Sequence, residues 1–144
     1  MQLFFVVVPD HHNACRTAAK ALGIKISSKL SPDVTHLVIC DPMSADGHAP
    51  PRQELFYEAL LMGKWIVGLK WITDSYADRE LRAEDDYEIT GIRGHPHEGP
   101  RMARLNAMRM QPRLLNNCKI YLYGEYRSAP LCKRIISLSF IKRS

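Results

Sequence analysis

The chain has 144 residues, 46% hydrophobic and 24% charged, an ordinary globular make-up long enough for one domain of ~100–150 residues with its own core. That composition excludes a fibrous repeat or a disordered tail, and no run reaches the ~18 apolar residues of a membrane span, so no membrane partner is expected. The net charge of +5 is uneven: residues 1–99 hold 10 Lys/Arg against 14 Asp/Glu, whereas residues 100–144 hold 10 Lys/Arg against Glu125 alone.

Leu3–Val8 is a continuous apolar run stopped by Pro9-Asp10, the pattern of a strand buried on both faces of a parallel sheet. It lacks the basic start and small-residue cleavage site of a secretory signal. Asp10 or Asn13 is placed to cap a helix over Ala14–Leu22, which Gly23 ends. Ile24–Ser27 alternates as a short strand, and Ser31-Pro32-Asp33 is a turn. Thr35–Cys40 returns to the buried-strand pattern, and Asp41–Pro51, with three Pro and one Gly, is a loop.

From Gln53 the residues Leu55, Phe56, Ala59, Leu60 and Met62 fall at helical spacing up to Gly63. Trp65–Leu69 reads as a fourth strand. Lys70–Leu81 reads as a helix whose inward stripe is Trp71, Ile72, Ser75 and Tyr76. Short buried strands alternating with amphipathic helices predict an α/β domain, a four-stranded parallel sheet with about three helices. Thr90–Pro100 reads as irregular, and Arg101–Gln111 as a short basic helix. Lys119–Gly124 reads as a further strand, and after Ser128 only a weak apolar period remains.

Gly63-Lys64-Trp65-Ile66-Val67 followed by Lys70-Trp71-Ile72-Thr73-Asp74-Ser75, with Val34-Thr35-His36-Leu37-Val38 upstream, resembles a BRCT domain, and the resemblance covers residues 3–89. It implies that Trp71 is the centre of the core and that Gly63 allows close helix packing. It also places Thr35 in the third strand and Trp65 in the fourth. Asp86-Tyr87-Glu88-Ile89 with His97–Asn106 is similar to the segment joining the two BRCT repeats of the breast-cancer susceptibility and BRCA-associated RING domain proteins. Cys118–Gly124 is similar to the strand opening their second repeat. The division expected is a BRCT domain over residues 1–90, a basic linker over 91–111 and an incomplete second repeat over 112–144.

The resemblance implies a non-catalytic protein-interaction module of a nuclear DNA-damage-response protein. Its partners would be phosphorylated repair proteins and, for the full-length protein, a RING partner within a ubiquitin ligase. In that family a Ser or Thr, a Gly amide and a Lys hold a phosphoserine, a design suited to a dianion. The corresponding positions here are Asp10, His11 and His12 in the first loop and Arg52 and Gln53 before the second helix, with Leu55 where the Lys is expected. A carboxylate at Asp10 repels phosphate, so the pocket reads as degenerate.

The competing reading is a nucleic-acid or nucleosome contact through Arg101, Arg104, Arg109 and Arg113, since arginines spaced along a linker neutralise phosphates without reading sequence. A solvated basic linker is its plainer alternative. His11, His12, Cys15, Cys40, His95 and His97 do not fall at structural zinc spacings, so neither metal nor cofactor is expected. No nucleophile elbow and no glycine-rich phosphate loop occur. Cys15, Cys40, Cys118 and Cys132 form no CxxC pair and read as reduced thiols.

Overall fold

The computed structural model describes residues 4–8, 13–40, 47–49, 54–125 and 129–140. Strands β1 (Phe4–Val8), β2 (Lys25–Ile26), β3 (His36–Ile39) and β4 (Trp65–Gly68) lie side by side in the order β2-β1-β3-β4. Every pair runs parallel, with Val7 opposite Val38 and Val38 opposite Val67. Parallel neighbours need crossovers, and helices supply them: α1 (Asn13–Ala21) follows β1 and α2 (Glu54–Leu61) precedes β4. Helix α3 (Leu69–Asp78) then leaves β4 directly.

The apolar runs of the sequence are continuous because the sheet is covered on both sides. Leu37 and Ile39 of β3 join Phe56, Ala59 and Ile66 on one side. Val38 and Cys40 join Cys15, Ala19, Val67, Trp71 and Ile72 on the other. Helices α1 and α3 pack together on this second side, while α2 covers the first.

Trp71 is fully buried, and its indole N–H donates to the Arg82 carbonyl at 2.8 Å. Its ring stacks on His36 with centroids 5.1 Å apart and planes 6° from parallel, and His36 in turn faces Trp65 at 6.4 Å. His36 is itself buried and hydrogen-bonds Thr35 Oγ1 at 2.7 Å and Glu84 at 2.9 Å. Burial holds the His36 pKa below its ordinary value, outweighing the upward pull of the Glu84 hydrogen bond.

The C-terminal part departs from expectation in four places. The stretch read as irregular contains a hairpin of β5 (Gly91–Ile92) and β6 (His95–Pro96), latched to the body by Ala49, whose N–H donates to the Gly91 carbonyl at 2.9 Å. Gly91 has φ +88°, and a Cβ there would lie 2.6 Å from the His97 nitrogen, so only glycine fits. The basic segment is a helix, α4 (Gly99–Met108), beginning earlier than expected with Pro100 in its first turn.

No strand forms over residues 118–125. Tyr121 and Tyr123 are 85% and 86% exposed there, because the alternating segment pairs with no sheet edge among the described residues. The weak apolar period after Ser128 is a full helix, α5 (Ala129–Phe140), which adds an unexpected helix to the three of the sheet domain and the basic one after it. It packs on α2, with Leu138 buried and Arg134 3.6 Å from Glu58.

Replacing Trp71 by Ala removes the largest buried side chain and should cost about 3–5 kcal/mol, unfolding the domain or nearly so. A denaturant midpoint unchanged from that of the native chain contradicts its place at the centre of the core.

The His36 shift has a defined sign. Between the ordinary value near 6.5 and the lowered native value, the unfolded chain carries a proton that the folded chain does not. Stability should therefore fall as the pH is lowered through that window, by up to about 1.4 kcal/mol per pH unit. Denaturant unfolding at a series of pH values measures the slope, and His36→Gln should flatten it.

Candidate functional site

A parallel sheet places its binding-competent loops at the edge where the strands end. Here that edge lies beyond Val8 of β1 and Ile39 of β3, and each helix must return from it to where the next parallel strand begins. The amino ends of α1, at Asn13, and α2, at Glu54, consequently lie on this side, with the unpaired N–H groups of their first turns. Asp10, His11, His12, Arg52 and Gln53, the residues expected to hold a phosphate, lie outside the described residues.

The described parts of the two helix starts offer little positive charge. Arg16 is half-buried on α1, while α2 opens on the exposed carboxylate of Glu54. Leu55, at the position where the resemblance calls for a lysine, is packed half-buried against Phe56 and its core neighbours. An aliphatic side chain there supplies neither charge nor a hydrogen bond. Among the described residues no three His, Cys, Asp or Glu side chains converge to hold a metal ion.

The four linker arginines do not form one surface. Arg104 is only 7% exposed and turns inward, where Nε and Nη2 donate to the two carboxylate oxygens of Glu88 at 2.9 and 3.0 Å. Its guanidinium lies 3.6 Å over the Trp65 ring, adding a cation–π contact. The hydrogen bonds to Glu88 hold the Arg104 pKa above its ordinary value. Arg113 is half-buried and donates from Nη1 to the Leu61 carbonyl at 2.6 Å, binding the chain after α4 to the end of α2. Arg101 and Arg109 remain exposed, and Arg101 borders a cleft that also holds Asp85, Asp86 and Glu98.

Gly63 shows why α4 can approach so closely. Its φ is +67°, and a Cβ built on it would collide with the Cβ of Ala107 on α4. The glycine thus accommodates the linker helix as well as ending α2. Ala103 and Ala107, small residues four apart on one face of α4, were the sequence signal for this contact. Glu88 carried no such signal, because one carboxylate in the acidic run Glu84–Glu88 looks solvated like its neighbours until its partner is known.

Residues 12–76 match the family model described as BRCA1 C Terminus (BRCT) domain. The chain is 33% identical over 115 residues to the Arabidopsis thaliana Protein BREAST CANCER SUSCEPTIBILITY 1 homolog, covering 77% of this chain and 12% of that protein. It is 29% identical over 112 residues to human BRCA1-associated RING domain protein 1, covering 78% of this chain and 13% of that one. The chain therefore spans only about an eighth of these relatives' length. Among solved structures, the crystal structure of the BRCT5-BRCT6 domains of S. pombe Brc1 superposes with a TM-score of 0.64 at 18% identity. The match covers 96% of this chain and 64% of that one, a likeness of fold.

The two kinds of arginine predict different mutants. Arg104→Ala strands the buried carboxylate of Glu88 and should destabilise the protein by about 3–5 kcal/mol, whereas Arg101→Ala should stay within about 0.5 kcal/mol of the native chain. Thermal unfolding of the two variants side by side checks this, and equal midpoints contradict the structural role of Arg104.

Proposed function

The chain carries a BRCT domain, a non-catalytic interaction module, and from that premise we propose that it serves protein recognition in a nuclear DNA-damage-response protein with a degraded phosphoserine pocket. The observation that carries the second half of this reading is Leu55. Where the family resemblance calls for a phosphate-binding lysine, α2 presents an aliphatic side chain committed to the core. By sequence, Asp10 would add a repelling carboxylate, and the exposed Glu54 adds a second. Arg52 is the one cation of the sequence near this position able to compensate in part.

By its likeness to proteins named for breast-cancer susceptibility and for a RING domain, the full protein would work beside a RING partner in a ubiquitin ligase. On this reading residues 112–144 belong to a second repeat, with α5, packed on α2, as its first helix and no strand over 118–125. Contact with DNA or a nucleosome through the linker is the weaker reading. Two of its four arginines, Arg104 and Arg113, are engaged by the domain itself, and Arg101 stands among acidic neighbours. Arg109 alone is left exposed and free of an acidic cleft.

Titration with a phosphorylated Ser-x-x-Phe peptide and its unphosphorylated twin separates the readings. Weak binding that does not depend on the phosphate is the expected result, and phosphate-dependent micromolar binding overturns the degraded pocket. Duplex DNA at low salt should give no gel shift, and a shift that Arg109→Ala abolishes would favour the linker contact instead.

A further inference from the structure

Cys15 and Cys40 come together in the core from opposite directions. Cys15 lies in the first turn of α1 and Cys40 directly after the last residue of β3, and both belong to the packed cluster around Trp71. They are 1% and 0% exposed, and their side chains are in hydrogen-bond contact with each other. Twenty-four residues separate them in the chain, including β2 and all of β3. Such a meeting of thiols is a property of the fold, and an interaction module does not need it.

We propose that Cys15 and Cys40 form a reversible redox pair, a buried dithiol that a hydroperoxide converts to an intramolecular disulfide tying the start of α1 to the end of β3. The balance is complete with hydrogen peroxide as oxidant. The Cys15 sulfur attacks the peroxide, the O–O bond breaks, and a sulfenic acid and one water result. The Cys40 sulfur then displaces hydroxide from that sulfenic acid, which leaves as a second water with the Cys40 thiol proton. Two electrons pass from the two sulfurs to the peroxide oxygens. Two equivalents of a small thiol reverse the change by exchange.

The geometry assigns the roles. Cys40 donates its S–H to the Cys15 sulfur, which holds the Cys15 pKa below the ordinary thiol range, with Arg16 helping. That same hydrogen bond and burial push Cys40 up. The amino end of a helix also favours a thiolate, so Cys15 is the attacking sulfur and Cys40 the resolving one. Neither thiol is open to solvent, so the first turn of α1, where Asn13 and Ala14 are exposed, must move to admit the oxidant. Oxidation is then slow beside that of an exposed thiol but yields a single product. Cys118, exposed, and Cys132, half-buried on α5, are the competing thiols.

The test uses the full chain, native and in a Cys118→Ser/Cys132→Ser form, treated with hydrogen peroxide under native conditions. Non-reducing peptide mapping should show one Cys15–Cys40 cross-link, two hydrogens lighter than the reduced pair, with tryptophan fluorescence retained and full reversal by dithiothreitol. In Cys40→Ser the resolving thiol is gone, and dimedone should trap a sulfenic acid at Cys15. Native fluorescence with both thiols still alkylatable after denaturation overturns the proposal. So does a cross-link that appears only in denaturant, or one that joins Cys15 or Cys40 to Cys118. If Cys40→Ser fails to fold, the peptide map of the native chain decides alone.

Discussion

Trp71 stacked on His36 is the contact through which the separate parts of the molecule hold one another. The indole fills the space between the sheet and α3, and its N–H ties down the Arg82 carbonyl on the segment leaving that helix. That segment brings Glu84 to His36, and three residues further brings Tyr87 back over α3, where its hydroxyl donates to Asp74 at 2.9 Å. His36 passes the stack to Trp65, and Trp65 receives the Arg104 guanidinium from the linker helix. One line of planar groups therefore joins α3, β3, β4 and α4. Near-parallel rings in a close-packed interior transmit position well because a shift of one opens a void beside the next.

The polar groups in this line show how burial sets charge state. His36 has a carboxylate within hydrogen-bonding distance and is still held toward its neutral form, because desolvation outweighs the pairing. Arg104 resolves the same conflict the other way. Its guanidinium keeps its charge whatever the surroundings, so the fold supplies a bidentate carboxylate and an aromatic face. The result is that the segment between the hairpin and residue 113 is bound to the domain along its length. A tether would leave those arginines in water, and these two are not.

The aromatic stack and the helix starts lie at different ends of the sheet. The aromatic stack occupies the edge where β3 and β4 begin, at His36 and Trp65. The opposite edge, where β1 and β3 finish, gathers two helix starts and the Cys15–Cys40 contact. Leu55 at that edge packs on the cluster around Phe56, apart from the cluster around Trp71. α2 is the shared surface of the two halves, with the sheet on one flank and α4 and α5 on others.

The elements whose burial is decided locally could be read directly from the residues. The runs at residues 4–8, 36–39 and 65–68 carry apolar residues on both faces, and only a doubly covered sheet buries both. The stripe of Trp71, Ile72 and Ser75 likewise fixes the inward face of α3. Tertiary structure alone decided the rest, because each remaining feature depends on a partner distant in the chain. Lys119–Tyr123 alternates like a strand but pairs with no edge, since strand formation needs a neighbour as well as a pattern. Arg104 and Arg109 look alike in a basic run, yet one meets Glu88, sixteen residues away, and the other meets water. The meeting of Cys15 with Cys40 was equally invisible, because it follows from which helix start the parallel crossover brings beside which strand end.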